Sequence, residues 1–185
     1  PFQVPLINRL NDMGVFTISI SNRENDPGLK ISSKGFNVSI MDLEKIEKLF
    51  IEQKIDFSIT CGSDLGTYTV AHLNDKFYSK GIKTEQVLNV THKGYFNRVL
   101  KKLKLNHKPF INISEKTDLR LACSKIESFP VILKPFISSG SRGVVKVSDI
   151  EAIFYHHNHL INSSYINKGY VVQEYIAGTE IGAEC

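Results

Sequence analysis

The sequence predicts an α/β protein built in two parts, and three observations carry that reading. Short β-type runs alternate with helical runs over residues 1–90. Farther on, the apolar runs Val131–Leu133 and Val144–Val147 flank a Ser/Gly-rich loop with no helix behind it. The change from one pattern to the other falls near residue 90. Strands alternating with helices imply βαβ units, and so a parallel sheet with right-handed crossovers.

The elements of the first part follow in order. Phe2 to Leu10 opens as a helix with Val4, Leu6, Ile7 and Leu10 on its apolar side. Val15 to Ile20 is a strand bounded by Gly14 and a polar turn from Asn22 to Gly28. Phe36 to Ile40 is a second strand. Asp42 then stands as the N-cap of a helix carrying Leu43, Ile46, Leu49 and Phe50 on one face. Ile55 to Thr60 is a third strand, and a helix starts near Gly66. Ligands of parallel sheets bind at the carboxyl ends of strands. Cys61-Gly62-Ser63-Asp64 lies at such an end, with Asp64 either an N-cap or turn residue or a substrate contact.

In the second part, Lys93 to Lys108 holds six Lys/Arg and no acid, with Phe96, Val99, Leu100 and Leu103 at helical spacing. That is an amphipathic helix with a solvated basic face. Lys93 stands apart at the helix start, where a phosphate could meet both its ammonium and nearby N–H groups. Leu119–Ser124 and Glu151–Leu160 are further helices. The second carries His156, His157 and His159, which point to different sides and lack the spacing of a metal site.

Composition excludes several classes. With 42% hydrophobic and 23% charged residues among 185, the chain is an ordinary globular one with enough length for a sizeable core. A net charge of +4 falls short of the dense basic stripe of a nucleic-acid binder. No apolar run approaches the roughly 20 residues needed to cross a bilayer. The three cysteines, Cys61, Cys123 and Cys185, form no C-x-x-C pair, so a reducing cytoplasm is the simplest setting.

The chemistry concentrates between Phe129 and Glu180. Val131-Ile132-Leu133 runs into Lys134-Pro135, whose proline cannot donate a ladder hydrogen bond and marks a strand end. Ser138, Ser139, Gly140, Ser141, Arg142 and Gly143 can turn several N–H groups and hydroxyls toward one anion, because glycine permits the positive φ angles of an anion nest. No helix follows, which separates this loop from the P-loop motif G-x-x-x-x-G-K-[ST]. A lysine within an apolar strand is costly to bury without an anionic partner. Arg142 can pair with phosphate or simply be solvated.

Lys134, the Ser/Gly loop and the downstream Gln173-Glu174-Tyr175-Ile176-x-Gly178-x-Glu180 form an ordered set that resembles the ATP-grasp superfamily of ATP-dependent ligases. Thr91-His92-Lys93, the helix after it and Lys108-Pro109-Phe110 look like that family's first nucleotide lysine and the start of its nucleotide-binding domain. The opening PFQVPLINRL and GVFTISISNRENDPGLKISS are similar to the N-terminal domain of carbamoyl-phosphate-synthase-like and biotin-carboxylase-like members. The resemblance implies a Rossmann-like pre-ATP-grasp domain over residues 1–90, lacking its first strand. It implies the first part of an ATP-grasp domain over residues 91–185, with antiparallel strands and the Gly/Ser-rich loop. Family members carry a strand before the segment matching Pro1 and a long half after Glu180, so the chain is expected to be an N-terminal fragment.

By the same resemblance, Lys134 binds the α- and β-phosphate side of ATP, and Lys93 assists. Ser138 to Gly143 close over the β- and γ-phosphates. Glu174 and the Tyr175 carbonyl meet the adenine amino group, the Ile176 N–H meets a ring nitrogen, and Glu180 accepts from the ribose. Magnesium ligands and catalytic residues are expected beyond Cys185. The implied reaction phosphorylates a carboxylate with ATP, and an amine or similar nucleophile then attacks the acyl phosphate. A homodimer is allowed; nucleic-acid and membrane partners are not expected. A bicarbonate-using enzyme and a non-catalytic nucleotide-binding module remain alternatives. A Rossmann-type oxidoreductase would explain residues 1–90 but not the strand–loop–strand at 131–147.

Overall fold

The computed structural model describes residues 2–78, 80–105, 108–164, 166–179 and 181. The chain divides into two units, Pro1–Leu88 and Asn89–Cys185. In the first unit α1 (Val4–Asp12) is followed by β1 (Ile18–Ser21), α2 (Pro27–Ile31), β2 (Lys34–Asn37), α3 (Leu43–Glu52) and α4 (Asp64–Phe77). Then comes α5 (Thr84–Thr91), which runs across the division in sequence. Caps set the starts. The Asp42 carboxylate accepts from the Lys45 N–H at α3, and the Ser63 hydroxyl accepts from Gly66 N–H at α4. Asp26 accepts from Gly28 N–H and Pro27 opens the helix, so a stretch that reads as a turn forms the five-residue α2.

β1 and β2 pair in parallel, from Ile18 opposite Lys34 to Ser21 opposite Asn37. Phe50 of α3 stacks on Phe77 at 4.7 Å between ring centres and meets Tyr78 edge-on at 5.6 Å. Ile46 and Leu73 complete that core cluster. Two expectations change here. Residues 55–60, read from sequence as a strand, form none and join no ladder among the described residues. Ser63, not Asp64, is the cap of α4, and Asp64 is the first helical residue.

The second unit runs α6 (Lys93–Lys102), β3 (Phe110–Ser114), α7 (Leu119–Cys123), β4 (Val131–Pro135), β5 (Val145–Val147), α8 (Ile150–Ile161) and β6 (Gly169–Glu174). Its sheet has the order β3-β6-β4-β5 with every pair antiparallel. The basic helix stops at Lys102 rather than Lys108. Lys104 adopts φ 56° and the Leu105 N–H closes back on the Leu100 carbonyl at 3.0 Å, a left-handed ending that cannot continue a helix.

One face of this sheet carries the core. Val131, Leu133, Tyr170 and Val172 pack with Ile153 and Leu160 of α8 and with Ala122 and Cys123 of α7. Each such fully buried aliphatic side chain stabilises by about 1.5–3 kcal/mol. Gly169 is required where β6 begins. It has φ 141°, and a Cβ there would collide with the Ile113 carbonyl oxygen and the Phe136 ring. Among the described residues no helix is long and apolar enough to cross a membrane.

Candidate functional site

Strand alternation assigns the second face of the four-stranded sheet. Since Val131 and Leu133 point into the core, Ile132 and Lys134 point the other way. Residues directly opposite in an antiparallel pair share a face. Ile132 faces Gln173 and Lys146, Gln173 faces Phe110, and Lys134 faces Val171, which in turn faces Asn112. The α6 end of this face is covered, with Gly94 lying against the Asn112 side chain. The remainder is a half-open platform on which Phe110, Ile132, Lys134 and Gln173 are partly buried and Lys146 is exposed.

Lys134 is the electrostatic centre of the platform. Burial pushes its pKa below the usual lysine value, and among the described residues it has no hydrogen-bond or ion-pair partner. Taking an ammonium out of water is costly without an anion beside it. Lys93 approaches from the start of α6. Its N–H donates to the Phe136 carbonyl at 2.9 Å, and its ammonium donates to the Ser138 carbonyl at 3.0 Å and hydroxyl at 3.3 Å. That places the ammonium at the stem of the Ser138–Gly143 loop.

The stem is fixed and the tip is open. Phe136 N–H donates to the Gly169 carbonyl, and Ile137 N–H donates to the Ser164 hydroxyl at 3.1 Å. Gly140, Ser141 and Gly143 have φ of 60°, 55° and 72°. These glycine-type angles turn the chain tightly, and the Arg142 and Val144 N–H groups donate to the Ser139 and Ser141 carbonyls at 3.4 and 3.2 Å. Gly143 also rests on Pro135, where a Cβ would sit 2.8 Å from the ring Cγ. Arg142 folds back on its own loop, with Nη2 donating to the Ser139 hydroxyl at 2.7 Å and Nε to its carbonyl at 3.0 Å. Its guanidinium therefore ties the loop together.

The segment after β6 is organised differently. Gln173 shares the platform with Lys134, whereas Glu174, one residue on, projects to the opposite face and approaches Lys108 at 3.6 Å. The Tyr175 N–H donates to the Pro130 carbonyl at 3.2 Å, and the Lys146 ammonium lies 3.7 Å from the Tyr175 ring centre. Ile176 is exposed. Glu180 lies outside the described residues. The Lys93 ammonium thus lies on Ser138 at the loop stem, Gly143 rests on Pro135 next in sequence to Lys134, and the Glu174 side chain projects from the face opposite to Lys134.

Three contributors were not singled out by the sequence: Phe110, Ile132 and Lys146. Alternation from Lys134 would have found Ile132, but the other two need the strand register. His92 is a fourth. It is 2% exposed, sandwiched between Tyr95 and Phe136 at 4.0 and 4.4 Å between ring centres, and its Nδ1 accepts from the Tyr95 N–H. Burial lowers its pKa to about 4, so it is a neutral cap that sets the start of α6 and with it Lys93. The histidines of α8 are otherwise engaged in part, as His157 Nδ1 lies 3.1 Å from the Tyr170 hydroxyl.

A parallel β/α unit followed by an antiparallel sheet with a Gly/Ser loop between β4 and β5 is the fold of the N-terminal portion of ATP-grasp ligases. The 2-oxoglutarate carboxylase biotin carboxylase domain of Hydrogenobacter thermophilus superposes with a TM-score of 0.67 at 17% identity, covering 95% of this chain and 42% of that one. The L-amino acid ligase of Bacillus licheniformis gives 0.66 at 17%, covering 94% and 41%. Among curated proteins, the formate-dependent phosphoribosylglycinamide formyltransferase of Rhodococcus jostii is 23% identical over 171 residues, 91% of this chain and 42% of that protein. The chain therefore spans less than half the length of the curated relatives it matches. No protein-family model matches it.

Proposed function

We propose that this chain is the nucleotide-binding portion of an ATP-dependent ligase that activates a carboxylate as an acyl phosphate for attack by an amine or similar nucleophile. One observation carries the reading: Lys134 is a partly buried cation with no side-chain partner among the described residues, at the end of the strand that leads into the Ser138–Gly143 loop. In this reading the two lysines and the loop N–H groups bind the polyphosphate. The apolar platform of Phe110 and Ile132 receives the base, and main-chain groups of Glu174 to Ile176 meet its edge. Residues 1–90 form the Rossmann-like domain that precedes the nucleotide-binding one.

The demand of phosphoryl transfer is to hold the nucleotide in line and stabilise charge on the transferring group. Lys134 is suited to that, since an incoming anion relieves the cost of its burial. Magnesium would neutralise phosphate charge when bound, and its ligands are expected from beyond Cys185. The names of the curated relatives put formate first among the carboxylates to test. A free buried thiol at Cys123 is compatible with a reducing, cytoplasmic setting.

The test uses the complete gene product with magnesium-ATP, formate and hydroxylamine. ADP and a hydroxamate should form together, and both should disappear in Lys134→Met. AMP in place of ADP would overturn the acyl-phosphate reading. ATP binding without turnover on any carboxylate would make the chain a nucleotide-binding module.

A further inference from the structure

Two carboxamides lie where α6 rests on the four-stranded sheet, and each carries one hydrogen-bonding atom without a partner. Asn97, in the middle of α6, is 6% exposed, and its Nδ2 is buried with no partner among the described residues. Asn112 of β3 presents a buried Oδ1 that likewise has none among the described residues. One atom is a donor and the other an acceptor. A buried donor or acceptor left unmade bears the full cost of its desolvation, so such groups are retained where something offsets them.

Both belong to the boundary between α6 and β3. Gly94 lies directly on Asn112, since a Cβ at residue 94 would stand 2.6 Å from Asn112 Oδ1. Glycine weakens a helix, and here it lets the first turn come that close to the strand. Residues three apart on a helix share a face, so the buried Asn97 side chain meets the sheet one turn beyond Gly94. The helix is held at its start, where Lys93 N–H donates to the Phe136 carbonyl and His92 supplies the cap. At its other end Leu103 and Leu105 are 60% and 53% exposed. The movement left to α6 is a small rocking about Phe136, which is enough to bring one donor onto one acceptor.

We propose that Asn97 and Asn112 are positioning residues of the nucleotide site, their carboxamides apart in the nucleotide-free protein and joined by an Nδ2–H···Oδ1 hydrogen bond when polyphosphate binds. The proposal rests on the nucleotide reading given above. The Lys93 ammonium, which here donates to the Ser138 carbonyl and hydroxyl, exchanges them for phosphate oxygens, and α6 settles on the sheet as it does so. Bonds to an anion are stronger than bonds to neutral oxygens, so the exchange favours the settled position. The cost of the unmade bond falls on the nucleotide-free state alone, and relieving it adds to affinity. Neither asparagine touches the nucleotide; both act through α6 and Lys93.

The test uses the complete gene product, with magnesium-ATP affinity from calorimetry and the melting temperature measured without nucleotide. Asn97→Leu removes the partnerless donor at similar volume. It should lower ATP affinity about 5-fold while leaving the nucleotide-free melting temperature unchanged or higher. Asn112→Ala should lower affinity about as much, and the double variant should also lose about 5-fold, not the roughly 25-fold of independent effects. Parental affinity in Asn97→Leu, or losses that multiply in the double variant, would overturn the proposal. So would a lower nucleotide-free melting temperature in Asn97→Leu, because the two groups would then already be bridged before nucleotide arrives. Failure of the nucleotide reading is separate: a parent that binds no ATP ends both, whereas binding lost in Lys134→Met upholds that reading whatever the asparagine variants do.

Discussion

The two units solve the same problem to different degrees. In Asn89–Cys185 the inner strands β6 and β4 are paired on both edges, and the core face holds Leu133, Ile153, Leu160 and Tyr170 at 0% exposure. Among the described residues of Pro1–Leu88 the sheet has two strands, β1 pairs on one edge only, and Phe16, Phe57 and Ile59 face solvent. Both units mix helices and strands, so the difference lies in how many strands each sheet pairs among the described residues. A sheet whose core face is fully packed can carry a half-exposed, charged second face, and the candidate site lies on such a face of the four-stranded sheet.

The largest effect expected from this contrast is in packing. Leu133→Ala should destabilise the second unit by about 3–4 kcal/mol through lost burial and a residual cavity. Phe57→Ala should cost less than about 0.5 kcal/mol in the same chain. Urea denaturation followed by circular dichroism measures both, and comparable losses would erase the distinction between the units.

A second effect separates the units by pH. His92 has a folded-state pKa of about 4 against 6.5 for the free side chain, so the unfolded chain binds the extra proton first. Its contribution is complete above pH 6.5 and is lost as pH falls from 6.5 toward 4. At 1.36 kcal/mol per unit it amounts to about 3 kcal/mol. His92→Asn keeps a favourable cap and removes the titration, so its stability should fall less steeply over that interval. A variant whose profile parallels the parent would contradict the role assigned to His92. The smallest effect concerns the loop. Arg142→Ala should change stability by less than about 0.5 kcal/mol, because its bonds to Ser139 are exposed.

Much of this architecture was legible from sequence, and the misses have physical causes. Lys134-Pro135, the Ser/Gly loop and the valines after it fixed one hairpin, because proline, glycine and β-branched residues act locally. Ile55–Thr60 also has strand chemistry, yet it joins no ladder among the described residues, since a strand is defined by its neighbour. β3 went unread because Phe110–Ser114 becomes a strand only through its register with β6. At the site, the lysines could be recognised from local context. Lys146 and Phe110 could not, because only the pairing of β5 with β4 and of β3 with β6 brings them to the face of Lys134. The direction of the Glu174 side chain followed from the same register.

Titration of this chain with ATP by calorimetry, beside Lys134→Met, tests the central claim most directly. The account predicts saturable binding that the substitution lowers at least about 30-fold, about 2 kcal/mol at 1.4 kcal/mol per tenfold, the scale of a charge-assisted contact. Folding stability should be unchanged or slightly higher, because methionine removes a half-buried charge that has no partner among the described residues. Equal affinity in the two proteins, or a Lys134→Met chain destabilised by several kcal/mol, would contradict it.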